Sequence, residues 1–317
     1  MTTYIIRRLL QGVFVLVLVT VLIFCLMHVL PGDPISMYIG AEANIYSEEQ
    51  LDILRAEYNL DKPLIIQYFL WIGGILRGDL GESIAEQMDV RTMIAKSLPK
   101  TINLAIFSLI ISAAFGITFG TLCAIRRGKW PDTLFSVIAN LGITLPNFWI
   151  GILLIYFLSF KLDLLPTFGY TSPFDDLWLN IQMLIMPVFC LAVFPIAALT
   201  RQTRSSMLEV TRQDYVRTAW AKGLRERVII TRHIIKNGLI PVVTTMGMQV
   251  SFLVGGSVLV ETVFNIPGMG RMMVDGVTNN DYQVVQGTVL VTAVAIIITN
   301  IVVDIAYAWI DPRIRYA

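Results

Sequence analysis

The side chains able to make or break bonds are few in this chain, and their positions keep them apart. Of its 317 residues only two are histidines, His28 at the end of one apolar run and His233 in a strongly basic segment. The two cannot share a catalytic or metal centre. Cys25, Cys123 and Cys190 each sit inside an apolar run, without the close Cys/His spacing of a zinc site, which makes them packing residues. Ser257 has no histidine partner and no two carboxylates lie at matching depth, so the constellations of an intramembrane protease are missing. No phosphate loop of the GxxxxGK type is present, so the chain does not hold ATP in that way. Asp304, the one acid well inside an apolar run, shares a helix face with Asn300 at i, i+4. Its place near the end of that run favours a structural salt bridge to a basic segment over a proton relay. The chemistry that remains is recognition and movement: not an enzyme, and no cofactor or metal of its own.

The elements that must position such chemistry are membrane helices. The chain is 56% hydrophobic and 15% charged, with a mean hydropathy of +0.69, whereas charged residues alone make up roughly a quarter of a soluble domain. Crossing a bilayer core about 30 Å thick takes roughly 20 apolar helical residues. Six runs qualify: Leu9–Leu30, Leu98–Ile125, Leu134–Phe160, Leu179–Leu199, Gly238–Val260 and Val284–Trp309. The first is too long for a signal-peptide core and lacks a small-x-small cleavage site, so it reads as a retained anchor. Arg7, Arg8, Arg126, Arg127, Lys129, the basic residues from Arg201 to Lys236, Arg313 and Arg315 all fall on one side. The positive-inside bias makes that side cytoplasmic, with both termini on it. The fold class expected is an all-α polytopic membrane protein of six transmembrane helices. The net charge of +1 gives no support to a nucleic-acid partner.

Residues 31–97 form a long outer loop with weak helical signals. Ser47 caps a helix over Glu48–Tyr58, and Pro63 opens an apolar-rich stretch through Leu76. A second outer segment holds Asn265-Ile266-Pro267-Gly268-Met269-Gly270, which demands tight turns. Pro146, Pro187 and Pro195 each remove a backbone donor inside an apolar run, which predicts bent helices around a cavity. Gly116 and Gly120 permit close helix approach, within this chain or against another subunit.

The segment 205–237 is the most informative. Val216, Trp220, Gly223, Leu224 and Val228 fall at helical spacing on one face, and Arg217, Thr218, Lys222, Arg225 and Glu226 on the other. Gly223 divides the pattern into two short helices with a turn between them. An amphipathic helix of this kind either lies among lipid headgroups or docks into a groove on a soluble partner. Tied at both ends to membrane spans, it can pass a partner's movement to them.

Ala219-Trp220-Ala221-Lys222-Gly223-Leu224, then Arg232-His233 and Asn237-Gly238-Leu239-Ile240-Pro241, resemble the EAA loop of ATP-binding-cassette (ABC) import permeases in the form used by the peptide/nickel branch. The likeness extends to Leu30-Pro31-Gly32-Asp33-Pro34, Arg126–Pro131, Gly255-Gly256-Ser257 with Glu261, Pro267-Gly268-Met269-Gly270, and Asp311-Pro312-Arg313-Ile314-Arg315-Tyr316. The general motif is departed from at Arg217 and Thr218, as is usual in that branch. The resemblance implies the ABC importer permease fold, one domain over 1–317, in the cytoplasmic membrane of a prokaryote. It implies a coupling surface of Val216, Arg217, Ala219, Trp220, Lys222, Gly223 and Leu224. The partners implied are a homologous second permease, two cytoplasmic ATPases carrying ATP and magnesium, and an extracytoplasmic binding protein that meets the acidic outer loop. Small peptides are the expected substrate, with nickel or a nickel chelate as the alternative; an ion-gradient-driven transporter is the alternative of another class. Asn140, Thr144, Asn147 and Gln249 either line a substrate path or serve as interhelical polar packing.

Overall fold

The computed structural model describes residues 2–29, 48–57 and 59–310. Ser47 and the motifs at 30–34 and 311–316 lie outside the described residues. Twelve helical elements are found among those described: α1 (Thr2–Val29), α2 (Glu48–Glu57), α3 (Leu64–Leu76), α4 (Val90–Ile125), α5 (Trp130–Thr144), α6 (Asn147–Lys161), α7 (Leu177–Thr211), α8 (Asp214–Ala221), α9 (Glu226–Gly238), α10 (Ile240–Val263), α11 (Met269–Thr278) and α12 (Tyr282–Ile310). The last turns of α6 (Ile155–Lys161) and the middle of α9 (Ile229–Ile235) are π-helical. Among the described residues the extended structure is a single bridge, Glu82 to Asp89.

Four helices are long and apolar enough to cross a membrane alone, and two bent pairs raise the number to six if each is one span. The expected third span is the one that departs from a straight rod: α5 and α6 meet at 103°. Pro146 causes the break. Its ring disfavours helical geometry at the residue before it, and Leu145 is accordingly extended, with ψ 132°. Pro187 and Pro195, by contrast, stay inside an unbroken α7 of 35 residues. The expectation that all three prolines bend their helices therefore holds sharply at one.

The chain forms two compact units. One contains Ile102–Ile266 and residues from both chain ends. Here α5, α6 and α10 all pack on α7, around a core that includes Leu104, Met186, Cys190, Leu191, Leu253, Phe264 and Ile266. Gly116 and Gly120 of α4 set the closest approach to α7. A Cβ at Gly120 would lie 2.5 Å from Thr203 Cβ and 2.6 Å from the Thr200 carbonyl oxygen, and one at Gly116 would lie 2.6 Å from Leu199 Cβ. The small-residue pair thus serves packing within this chain.

The other unit contains Ile6–Thr101 and Pro267–Ile297. Its α1 turns large apolar side chains outward, Leu10, Phe14 and Leu22 among them, as a helix solvated by lipid does. Near the end of α1, Phe24 meets Tyr68 and Trp71 of α3, while His28 packs between Phe24 and Tyr282 with its Nε2 3.1 Å from Gln67 Oε1. Asp281 caps α12 and clasps the loop before α4: it accepts from Ser83 Oγ at 2.6 Å and from the backbone N–H groups of Ala85 and Val284. The turn before α11 is made by Asn265 at φ 54°, with Thr101 Oγ1 accepting from Met269 N–H.

Candidate functional site

The long helix α7 leaves its apolar part and continues, as one helix, through Arg201 to Thr211. The segment expected to be a loop from Ser205 therefore begins at Arg212. After a turn at Arg212 and Gln213 comes α8, eight residues long. Its end is a Schellman-type cap: Gly223 N–H donates to the Trp220 carbonyl at 2.9 Å and Leu224 N–H to that of Ala219 at 3.4 Å. Gly223 adopts φ +72°, the left-handed region that glycine enters without steric cost. The turn stands where the sequence places it.

The apolar ridge is arranged differently from the expectation. Val216 and Ala219 turn inward and are buried with Met207, Ile229 and Ile234. Trp220 is 49% exposed, and Tyr215 and Leu224 are exposed with it, as are Arg217, Lys222 and Gly223. The physical reason is the early end of the helix. Positions 216 and 219, about 60° apart, bracket the inward direction, Trp220 lies about 40° beyond Val216 at the edge of that face, and Leu224 and Val228 belong to a different segment. Of the seven coupling residues expected, two fasten α8 to the rest of the chain and five face outward.

Several residues that do the fastening carried no assigned role in the sequence reading. Ser206 Oγ donates to the Gly238 carbonyl at 2.7 Å, and the missing side chain of Gly238 lets α9 approach Met207, whose Cγ would be 2.9 Å from a Cβ there. Asn237 Nδ2 donates to Tyr215 Oη and to the His233 carbonyl. The turn between α4 and α5 is tied to the same arm of α7. Asp132, 8% exposed, receives both Arg204 Nε at 2.7 Å and Arg204 Nη2 at 3.0 Å, together with Gly128 N–H at 2.9 Å. This two-pronged, charge-assisted contact fixes orientation as well as distance. Asp132 in the first turn of a helix after Gly128 and Pro131 is a local signal; its partner on a distant helix is not.

Of the residues expected to line a path, Asn140 and Thr144 lie exposed at the end of α5, and Thr144 Oγ1 donates to the Asn140 carbonyl. Asn147 is half-buried beyond the break. Gln249 on α10 is 7% exposed, and its Oε1 has no hydrogen-bond partner among the described residues. The hollow at the α5–α6 bend, about 430 Å³, is lined by Phe119, Phe135, Leu145, Trp149 and Phe157 among others and by none of these four. Asn300 accepts from Ser251 Oγ at 2.9 Å; the Asp304 side chain lies outside those described. Among the described residues no group of three or more His, Cys, Asp or Glu side chains could hold a metal ion.

Comparison with known proteins accounts for nearly the whole chain. Residues 116–316 match the model of the family described as binding-protein-dependent transport system inner membrane component. Residues 1–105 match the N-terminal model of binding-protein-dependent transport system membrane components. A protein of Brucella ovis bearing a peptide permease name is 40% identical over 318 residues, 99% of each chain. The glutathione transport system permease protein GsiC of Escherichia coli is 41% identical over 316 residues, the full length of both. Among solved structures, the inward-facing MetNI methionine ABC transporter aligns with a TM-score of 0.56 at 18% identity, over 69% of this chain and 96% of its own. A likeness that distant shows the fold.

Proposed function

Because the chain belongs to the family of binding-protein-dependent transport system inner membrane components, we propose that it is the membrane-spanning subunit of an ATP-driven importer of small peptides. It works as one permease domain with both termini in the cytoplasm. A homologous second permease completes the pathway, two cytoplasmic ATPases bind ATP and magnesium, and an extracytoplasmic binding protein delivers the ligand to the outer side, where residues 31–97 lie. Relatives named for peptide and glutathione transport support peptides as the cargo.

The observation that carries the coupling role is the two-sided construction of α8. Val216 and Ala219 are buried against Met207 on the arm of α7, while Trp220, Leu224, Arg217 and Lys222 are left for a partner. An exposed tryptophan beside cations suits a protein groove. Movement of an ATPase holding α8 is passed through those buried contacts to α7. ATP-driven closure of the ATPases favours one access state of the pathway, and the binding protein's release of ligand is linked to it. Asn140, Thr144, Asn147 and Gln249 are the polar residues we assign to the path; the unpartnered Oε1 of Gln249 is the acceptor best placed to take a peptide N–H.

The first test is co-purification. Tagged chain in mild detergent brings down an ATPase, and its absence from every preparation refutes the coupling role. Cargo is decided by a deletion strain supplied with peptides as sole amino-acid source: loss of growth restored by this chain is the expected result. A defect confined to nickel-dependent enzyme activity would replace peptide by nickel. Uptake that survives ATP depletion and fails with the ion gradient would replace the ATP-driven mechanism.

A further inference from the structure

In the unit that contains Ile6–Thr101 and Pro267–Ile297, a cleft of about 360 Å³ opens between the first turns of α4 and helix α11. That volume lies within the roughly 300–1,000 Å³ of ordinary small-ligand sites. We propose that this cleft captures a small zwitterionic ligand by its carboxylate, with Lys96, Ser97 and Lys100 as the receiving groups. The identification of that ligand as the transported peptide, and the placing of the cleft on the outer side, rest on the function proposed above.

Charge is the first observation. Lys96 and Lys100 stand one turn apart on α4 and both line the cleft, and like charges at i, i+4 repel. The nearest polar contact of Lys96 is the Met88 sulfur at 3.9 Å, and neither lysine has a carboxylate within ion-pair distance among the described residues. The other cation of the cleft, Arg271, is matched by Asp275 at 3.5 Å, and Asp281 is taken up by Ser83 and two backbone N–H groups. Two ammonium groups are thus left to share an anion, since no described carboxylate lies within ion-pair distance of either.

Depth is the second. Ser97, between the lysines, is only 9% exposed, yet it lines the cleft and its hydroxyl makes no hydrogen bond with a described residue. The residue is otherwise buried, and its hydroxyl opens into the cleft rather than into the packed interior, where a flat protein surface does not reach it. A small carboxylate does, accepting from the hydroxyl and from both ammonium groups. Glu86 lines the same cleft and offers a carboxylate to an ammonium group, which matches a ligand carrying both charges.

The experiment uses the complete complex of both permeases and ATPases in nanodiscs, without binding protein, titrated calorimetrically with trialanine and with its C-terminal amide. Trialanine is expected to bind, and the amide about tenfold more weakly, as befits loss of a charge-assisted contact. Lys100→Met and Ser97→Ala each weaken trialanine binding about tenfold, while Lys100→Arg retains most of it. Absence of binding to the unaltered complex, equal affinity for acid and amide, or unchanged affinity in Lys96→Met and Lys100→Met would overturn the proposal. So would peptide-free binding protein losing its affinity for those variants while trialanine keeps its own, which would make the cleft a protein dock. Uptake of labelled trialanine by cells separates the two readings. Calorimetric binding without uptake removes the peptide cargo and leaves the cleft; uptake with the original KM in the Lys96→Met/Lys100→Met double variant removes the cleft and leaves the cargo.

Discussion

Gly223 is required for its backbone angle and not for space: nothing lies within 4 Å of where its Cβ would be. Placing an ordinary side chain at φ +72° costs roughly 1–2 kcal/mol, which a membrane-anchored chain tolerates. Gly223→Glu should therefore insert at normal abundance and uncouple ATP hydrolysis from uptake, while Gly223→Asn, which suits the left-handed region, should transport nearly normally. Parallel assays of nucleotide hydrolysis and peptide uptake in vesicles check both. Asp132 and Arg204 pose the opposite case, since removing one partner strands a buried charge. Arg204→Met is expected to cost roughly 2–3 kcal/mol, less than a fully buried pair because Arg204 is 34% exposed, and to lower the apparent melting temperature in detergent by about 5 °C. Adding Asp132→Leu should recover most of that loss. The glycine turn was legible because its signal is local, a breaker set in an amphipathic pattern. The ion pair was not, because its residues lie on different helices and only the fold brings them together.

Among the elements, the contact of α4 with α7 is the most sensitive to a single carbon atom. Gly120→Ala puts a methyl group 2.6 Å from a carbonyl oxygen, overpacking worth about 1–3 kcal/mol. Gly73→Ala in α3 meets nothing within 4 Å and gains helix propensity. Melting curves of the two variants should move in opposite directions. Sequence spacing identified Gly116 and Gly120 as a close-approach pair but could not say what approaches, since any helix face satisfies the pattern. The same limit applies to the prolines. All three remove a donor, yet only at Pro146 does the preceding residue leave the helix, so the 103° break of the third span was not distinguishable from the unbroken course of α7. In α8 only Val216 and Trp220 of the expected ridge lie on the helix, and the inward direction was not legible because it is set by Met207, Ile229 and Ile234 from neighbouring elements.

For the whole molecule, apolar runs were the strongest signal, since their lengths are dictated by the bilayer, and each of the six expected runs has a helix or bent pair over it. The outward face of α8 was legible only in outline. Trp220→Glu should leave the chain folded and reduce the ATPase recovered with it by more than about tenfold, whereas Val216→Glu, at a fully buried position, should deplete the chain itself. Quantitative blotting of membranes and eluates distinguishes the two. The uninterrupted course of α7 has a mechanical corollary. Its crossing with Gly120 at Thr200 divides the helix unequally, with about 35 Å on the apolar side and about 16 Å on the side that carries α8. A rigid beam pivoting at that fulcrum swings its long end roughly twice as far as its short one, and in the opposite sense. A small pull at the α8 end would thus become a wider, opposite stroke at the far end of the helix.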